Sequence, residues 1–428
     1  MTKEINIDGE NKKEDEKNIS IKGINKNTLR MIGDMNAFGV TMDKLNKLNN
    51  QIVAINDFDK KYQSIINIFH EISLVDTQID YIELTKLLPY TRKALPETAV
   101  KHLKDAFDKE RLCLVLGAGI SSNYGIPTWN DLLNRLLVEN IEKESEKAIK
   151  LSELFSKIFS PSPLIAGRYL ESRFSEIKEK FMFEREVQKS LYQSFRKDYE
   201  SKIVKEIIRM CIAPGKSPSL DSIITYNYDD IIERSLEGTN LDIPFDSIYG
   251  QFVDTDSDKL KIYHVHGFLP EKGPINEENK ITLGEYVYHE QYSNMYSWNN
   301  IVQINKFRDK TCLFIGTSLT DPNVRRLLDI ANSQKKGKNK KFHYIFKKKV
   351  DVHSLQESIN KIIKEDSSLS ENDFKSMDIK DIIKFLTEMK SRFEELDSYS
   401  LGVKTVWIDN YEEDIPKILH EIRQNISL

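Results

Sequence analysis

The sequence predicts an α/β protein built on a doubly wound parallel sheet, carrying helical insertions and preceded by a helical N-terminal segment. Three observations carry that expectation. Short apolar runs recur at Arg111–Leu116, Ser222–Thr225, Lys261–Val265 and Thr311–Gly316. Each is short and centred on apolar residues, as expected of a strand covered on both faces. Segments of helical periodicity separate them, the alternation that produces parallel sheets. The first run also ends in Gly117 and Gly119, a spacing suited to a tight strand-to-helix turn.

Taken in order, residues 1–27 open with MTKEINIDGENKKEDEKN, which has no apolar core of a secretory signal and is expected to be a disordered polar tail. Residues 28–105 read as a helical region, with Leu45, Leu48, Ile52 and Ile55 as an apolar stripe. Within it Pro96 opens a helix through Val100, Leu103 and Phe107. The α/β domain is expected over 106–428. A helix is predicted from Trp129 to Val138. A helical insertion near 141–210 presents Leu164, Ala166, Tyr169, Leu170 and Phe174 as one face. Helices follow the second and fourth apolar runs, whereas the third leads into a loop. Phe342–Phe346 and Lys404–Ile408 are further strands. A second insertion near 351–398 holds a helix around Ile379–Phe393, and Tyr411–Arg423 is a closing helix. The lysines between Lys335 and Lys349 flank a strand and read as solvated strand ends rather than a polyanion site.

The 428 residues carry a formal net charge of −4, so no global field favours nucleic acid or an acidic membrane. Direct nucleic-acid binding is not indicated. No apolar stretch approaches the roughly 18 residues that span a bilayer. Cys113, Cys211 and Cys312 sit in apolar surroundings and form no C-x-x-C pair. Neither a disulfide framework nor a zinc ribbon is expected, and the compartment is expected to be the cytoplasm.

The most specific string is LGAGISSNYGIP at residues 116–127. Gly117 and Gly119 suit a tight turn that brings backbone N–H groups against a pyrophosphate, with a helix start supplying further donors. Three more blocks follow: Thr225-Tyr226-Asn227-Tyr228-Asp229 after a strand, His266-Gly267 at a strand end, and Gly316-Thr317-Ser318 followed by Asp321-Pro322-Asn323. In this order they resemble the sirtuin NAD-binding signature, and more closely the sirtuin-like domains of bacterial antiphage defence proteins. The resemblance spans about residues 107–428 and implies a Rossmann-like fold.

That resemblance implies the roles of individual residues. Gly117, Ala118 and Gly119, with Ser121, would hold phosphates, Trp129 would wall the nicotinamide pocket, and Pro127 would be a further NAD-binding residue. Asp229 would hydrogen-bond a ribose hydroxyl or favour the first turn of a helix by its charge, two compatible readings, and Thr225 would be a further NAD-binding residue. Asn227 would orient water or a ribose hydroxyl, since an amide both donates and accepts; the competing reading is a helix N-cap. His266 would be the general base. His264 has the same strand parity and is the alternative, and Gly267 would leave room for a ligand. Ser318 would contact the adenine-side ribose, and Gly316 would be a further NAD-binding residue. Asp321 reads first as an N-cap followed by proline at N1.

Two departures matter. The two C-x-x-C pairs of deacylating sirtuins are missing, so no metal is expected. Thr128-Trp129-Asn130 also stands where that family has Asp-Phe-Arg. The resemblance therefore implies an NAD hydrolase releasing nicotinamide and ADP-ribose, depleting NAD in antiphage defence, with NAD as substrate. The alternatives are an NAD-dependent deacylase or ADP-ribosyltransferase, and a non-enzymatic NAD- or ADP-ribose-sensing scaffold. A restrained homo-oligomer is expected, with a HerA-type ATPase as the partner suggested by two-gene defence systems.

Overall fold

A computed structural model describes residues 88–424, apart from 140–149, most of 151–162, 177–178, 213–219, 240, 251–257, 285–288, 290, 336–341 and 366–377. These residues fall in the compact unit Ile79–Leu428. The expected tail at 1–27, the region 28–87 and its stripe Leu45, Leu48, Ile52 and Ile55 lie outside the described residues.

Seven strands among the described residues form one parallel sheet in the order β3-β4-β2-β1-β5-β6-β7. They are β1 (Leu112–Leu116), β2 (Leu220–Thr225), β3 (Phe245–Ile248), β4 (Leu260–His264), β5 (Thr311–Ile315), β6 (His343–Lys348) and β7 (Val403–Ile408). β1 and β5 are buried at every position, which explains their unbroken apolar sequence. Their side chains alternate between two cores. Leu112, Leu114, Leu116, Leu313 and Ile315 enter one, and Cys113, Val115, Cys312 and Phe314 the other.

β3 is absent from the sequence-based expectation. Its four residues include one buried side chain, Ile248, so this edge strand carries no apolar run to betray it.

The helices are α1 (Pro96–Asp108), α2 (Trp129–Glu139), α3 (Pro163–Ser175), α4 (Met182–Tyr192), α5 (Lys202–Cys211), α6 (Ile231–Glu237), α7 (Trp298–Asp309), α8 (Pro322–Gln334), α9 (Val352–Glu365), α10 (Ile379–Ser400) and α11 (Tyr411–Arg423). α1 buries Ala99, Leu103, Ala106 and Phe107 and touches β1, β5, β7 and α11. It runs across the boundary expected between residues 105 and 106, so that division cuts a helix belonging to the sheet. On α3, Ala166, Leu170 and Phe174 are buried, but Tyr169 is 55% exposed and leaves the expected face.

The expected insertion at 141–210 is not one removable block. Its last helix, α5, buries Ile203, Val204, Ile207, Ile208 and Met210 in the main core against α6 and α11. α10 extends beyond the expected Phe393 to Ser400 and packs on β7.

Candidate active site

The site forms where three strands end side by side. Leu116 pairs with Thr225 of β2 and with Ile315 of β5. Chain connections run in opposite directions from β1 and β5, so the crevice beyond these ends is the topological switch point at which α/β sheets bind ligands. It contains a cavity of about 200 Å3. Gly117, Ala118, Pro127, Trp129, Asn227, Asp229, His266, Gly316 and Ser318 all line it, although they come from five separate stretches of chain. Gly119, Ser121 and Thr225 do not; they stand behind the wall.

The glycine turn departs from its expected role. Gly117 N–H donates to Ile315 O at 3.0 Å and Gly119 N–H to Gly316 O at 2.9 Å, while the Ile120 and Ser121 amides close the turn on Gly117 and Ala118. Those donors are engaged within the protein rather than presented to a phosphate. No helix begins here either. Two three-residue 3-10 turns, Ala118–Ile120 and Ser122–Tyr124, follow β1, and α2 starts only at Trp129. Gly119 instead permits contact between the two loops, because a Cβ there would lie 2.8 Å from Gly316 Cα.

Ser121 is buried and supports Asn227. The Asn227 Nδ2 donates to Ser121 Oγ at 3.0 Å and to Gly117 O at 3.1 Å, and Asn227 N–H donates to Thr225 Oγ1 at 3.1 Å. With both amide hydrogens placed on the chain, Oδ1 is the part of Asn227 available to a ligand, as an acceptor. Asn227 is not an N-cap, since α6 begins after Asp230.

The Ser121 hydroxyl also meets the Asp229 carboxylate, completing a line from Asn227 through Ser121 to Asp229. Asp229 Oδ1 accepts from Ile231 N–H at 3.2 Å, so it serves the first turn of α6 while lining the cavity. Burial pushes its carboxyl up to about 6, against the opposing hydrogen bonds from Ser121 and Ile231.

His266 follows the end of β4. The chain turns there, with Gly267 N–H donating to His264 O at 3.1 Å, so strand parity does not carry from His264 to His266. The two histidines accordingly do different things. His264 is buried behind the site, its Nε2 2.7 Å from Glu233 Oε1 and its Nδ1 3.3 Å from Asn227 O. His266 lines the cavity, with its ring edge-on to Tyr226 at 4.8 Å and its Nε2 4.0 Å from Asp321 Oδ2. Burial lowers the proton affinity of His266, and the Asp321 charge opposes that effect.

Gly267 leaves no room for a ligand. It has φ +105°, and a Cβ would lie 2.3 Å from Lys280 O, so the 280–281 backbone fills that space. The same segment delivers Thr282, whose N–H donates to His266 O at 2.7 Å and which also lines the cavity.

Sequence reasoning missed Tyr226, Tyr228 and Thr282 as cavity residues. The tyrosines flank Asn227 and were within reach of inference; Thr282 arrives on a loop with no local signal. Asp321 is the N-cap expected, accepting from Val324 N–H at 2.9 Å, but it also faces the cavity.

The three cysteines are buried and free, with Cys113 and Cys312 paired across β1 and β5. Among the described residues, no group of three or more histidine, cysteine, aspartate or glutamate side chains is placed to hold a metal ion. No described helix is long and apolar enough to cross a membrane.

Comparisons with known proteins show two relatives and one family model similar to this chain. A protein named NAD(+) hydrolase ThsA from Enterococcus faecium is 24% identical over 333 residues, covering 76% of this chain and 58% of its own length. A protein of the same name from Cytobacillus dafuensis is 25% identical over 334 residues, covering 77% of this chain and 56% of its own. The chain thus spans little more than half the length of these curated relatives. Residues 221–370 match the family model for the SIR2-like domain, a stretch that contributes Asn227, Asp229, His266, Gly316, Ser318 and Asp321 to the cavity. Over that stretch the chain is similar to SIR2-like domains.

Proposed function

We propose that the chain hydrolyses NAD at its nicotinamide–ribose bond, releasing nicotinamide and ADP-ribose. The observation that carries this reading is the meeting of Asn227, Asp229 and His266 around one cavity at the ends of β1, β2 and β5. The apolar wall of Ile126, Pro127 and Trp129 suits a nicotinamide ring, and the Gly117 and Gly316 turns line the same cavity, where the sugar would lie. The names of the relatives support the same reading.

In this mechanism the C1′–N1 electron pair leaves with nicotinamide, a water oxygen bonds C1′, and His266 takes the water proton. The leaving group departs neutral, so the chain need only hold the sugar, exclude other nucleophiles and orient the water. Asn227 Oδ1 acts as the acceptor that fixes the water or a ribose hydroxyl. Gly316 and Ser318 lie toward the second ribose. Asp229 and Thr225 hold the strand end that carries Asn227.

Purified chain incubated with NAD should yield nicotinamide and ADP-ribose in equal amounts by chromatography. His266→Ala should lower turnover by about 100-fold or more. NAD left intact both by the chain alone and in the presence of the proposed ATPase, or transfer of ADP-ribose to added acylated peptide, would contradict the proposal. An activity that consumes a host's own NAD needs restraint, and we attribute this to self-association, with a HerA-type ATPase as the proposed partner in antiphage defence. Light scattering alongside turnover, with and without that ATPase, tests the restraint; a monomer already at full activity would refute it.

A further inference from the structure

Asp321 stands where two demands meet. As the N-cap of α8 it uses Oδ1 to accept from Val324 N–H, ahead of Pro322 at the first helical position. The cap pins the carboxylate, and the pinned group places Oδ2 4.0 Å from His266 Nε2 inside the same cavity. We propose that Asp321 is a positioning residue for His266: its carboxylate orients the imidazole and stabilises the imidazolium formed when His266 takes the proton of the attacking water. This inference rests on the reading of His266 as the base.

The physical case is one of charge in a dry place. His266 is 7% exposed, and an imidazolium formed there loses most of its hydration. A carboxylate within about 4–6 Å offsets that loss, and at this distance the interaction is not screened as it would be in open water. The other titratable groups on the cavity are Tyr226 and Tyr228 beyond β2 and Asp229 at the start of α6. No lysine or arginine lines it among the described residues. Burial holds the proton affinity of His266 down, and Asp321 is the charged neighbour that raises it. A separation of 4.0 Å exceeds a hydrogen bond, and such contacts tighten when substrate closes the site.

Asp321→Asn separates the two roles, because asparagine caps a helix as well as aspartate but carries no charge. Asp321→Ser, another capping residue, repeats the comparison should the first variant fold poorly. His266 would be titrated by NMR in the full, unliganded chain, and kcat and KM for NAD measured across pH.

In the capped, uncharged variants His266 should titrate about one pH unit lower than in the unaltered chain. The acid limb of kcat/KM should move down in step. kcat should fall by about 10- to 100-fold while KM changes far less, with thermal melting near that of the parent. An unchanged His266 titration would overturn the pairing, as would an unchanged kcat and pH profile in variants whose parent is silenced by His266→Ala. Retention of turnover by His266→Ala would instead refute the base assignment, and the NMR titration would still report on the Asp321–His266 contact independently.

Discussion

The side-chain amide of Asn227 lies 3.0 Å from the hydroxyl of Ser121, and this contact joins the end of β2 to the turn after β1. Two motifs more than a hundred residues apart thereby become one device. Ser121 receives the amide hydrogen and meets Asp229, so the orientation of Asn227 is set from behind the cavity wall. His264 adds a second support through the Asn227 carbonyl.

Asn227→Ala should abolish most turnover, by about 100-fold or more, because the ligand-facing acceptor is lost. It should cost stability of only about 1 kcal/mol, the worth of the hydrogen bonds to Gly117 and Ser121. Ser121→Ala leaves the acceptor present but loosely held, and should lose an intermediate factor of about 10. Steady-state kinetics beside thermal melts would check both, and a Ser121→Ala protein as inactive as Asn227→Ala would argue for direct contact between Ser121 and substrate.

Asp229 should impose a pH-dependent cost on the fold. Its carboxyl is pushed from 3.8 up to about 6, so the folded protein holds this proton over a range where the unfolded chain has released it. The resulting stabilisation is complete below the unfolded value and is lost as pH rises through about 6. At neutral pH the burden amounts to about 3 kcal/mol, and Asp229→Asn removes it. Urea unfolding at pH 4.5 and pH 7.5 should therefore show the variant gaining on its parent at the higher pH. A difference independent of pH would mean that Asp229 is not buried as an ionisable group.

Gly316→Ala should be damaging for two reasons at once. The residue has φ +73°, and a Cβ would lie 2.8 Å from Ile120 N and 2.9 Å from Gly117 O, in backbone that cannot step aside. A loss of about 2 kcal/mol or more is expected, with NAD turnover impaired. Gly273→Ala is the comparison: φ +121° but nothing within 4 Å, so strain acts alone. Equal melting temperatures for the two variants would show that the loop contact is not tight.

Glu233 should be a large contributor to stability. It is buried, its Oε1 2.7 Å from His264 Nε2 and accepting from the Ser247 hydroxyl at 2.8 Å. Burial alone would raise its carboxyl, but the His264 charge and the hydrogen bonds from His264 and Ser247 outweigh it and hold the group below its usual range. That stabilisation is present above the unfolded value and disappears as pH falls. Glu233→Ala should cost about 3–5 kcal/mol, since it strands His264 in the core. Chemical denaturation would measure it, and a loss under about 1 kcal/mol would show that water reaches the pair.

Much of this protein was legible in the order of its residues. A five-residue apolar run such as Leu112–Leu116, ended by a glycine turn, fits a strand covered on both sides, and helical stripes between such runs require crossovers, so a parallel sheet followed. Asn227, Asp229 and His266 were singled out because their motifs resemble those of sirtuin-like domains, each just beyond an expected strand. What the pattern could not reach was the neighbour across the crevice. Nothing near Gly119 says that its partner is Gly316, and nothing near Gly267 says that Lys280 will occupy the space beside it. Parity suggested that His264 and His266 share a face, until the turn after β4 separated them. Asp321 read as a helix cap and is one; that its second oxygen faces His266 depends on α8 starting beside the end of β4. Periodicity and turn chemistry are properties of consecutive residues, so the sequence by itself determined every strand but β3, and its motifs, by resemblance, the strand-end residues. Hydrogen bonds and charge pairs depend on distances that only the strand order sets, and that order decided which of those residues line the cavity, which support them, and which merely pack.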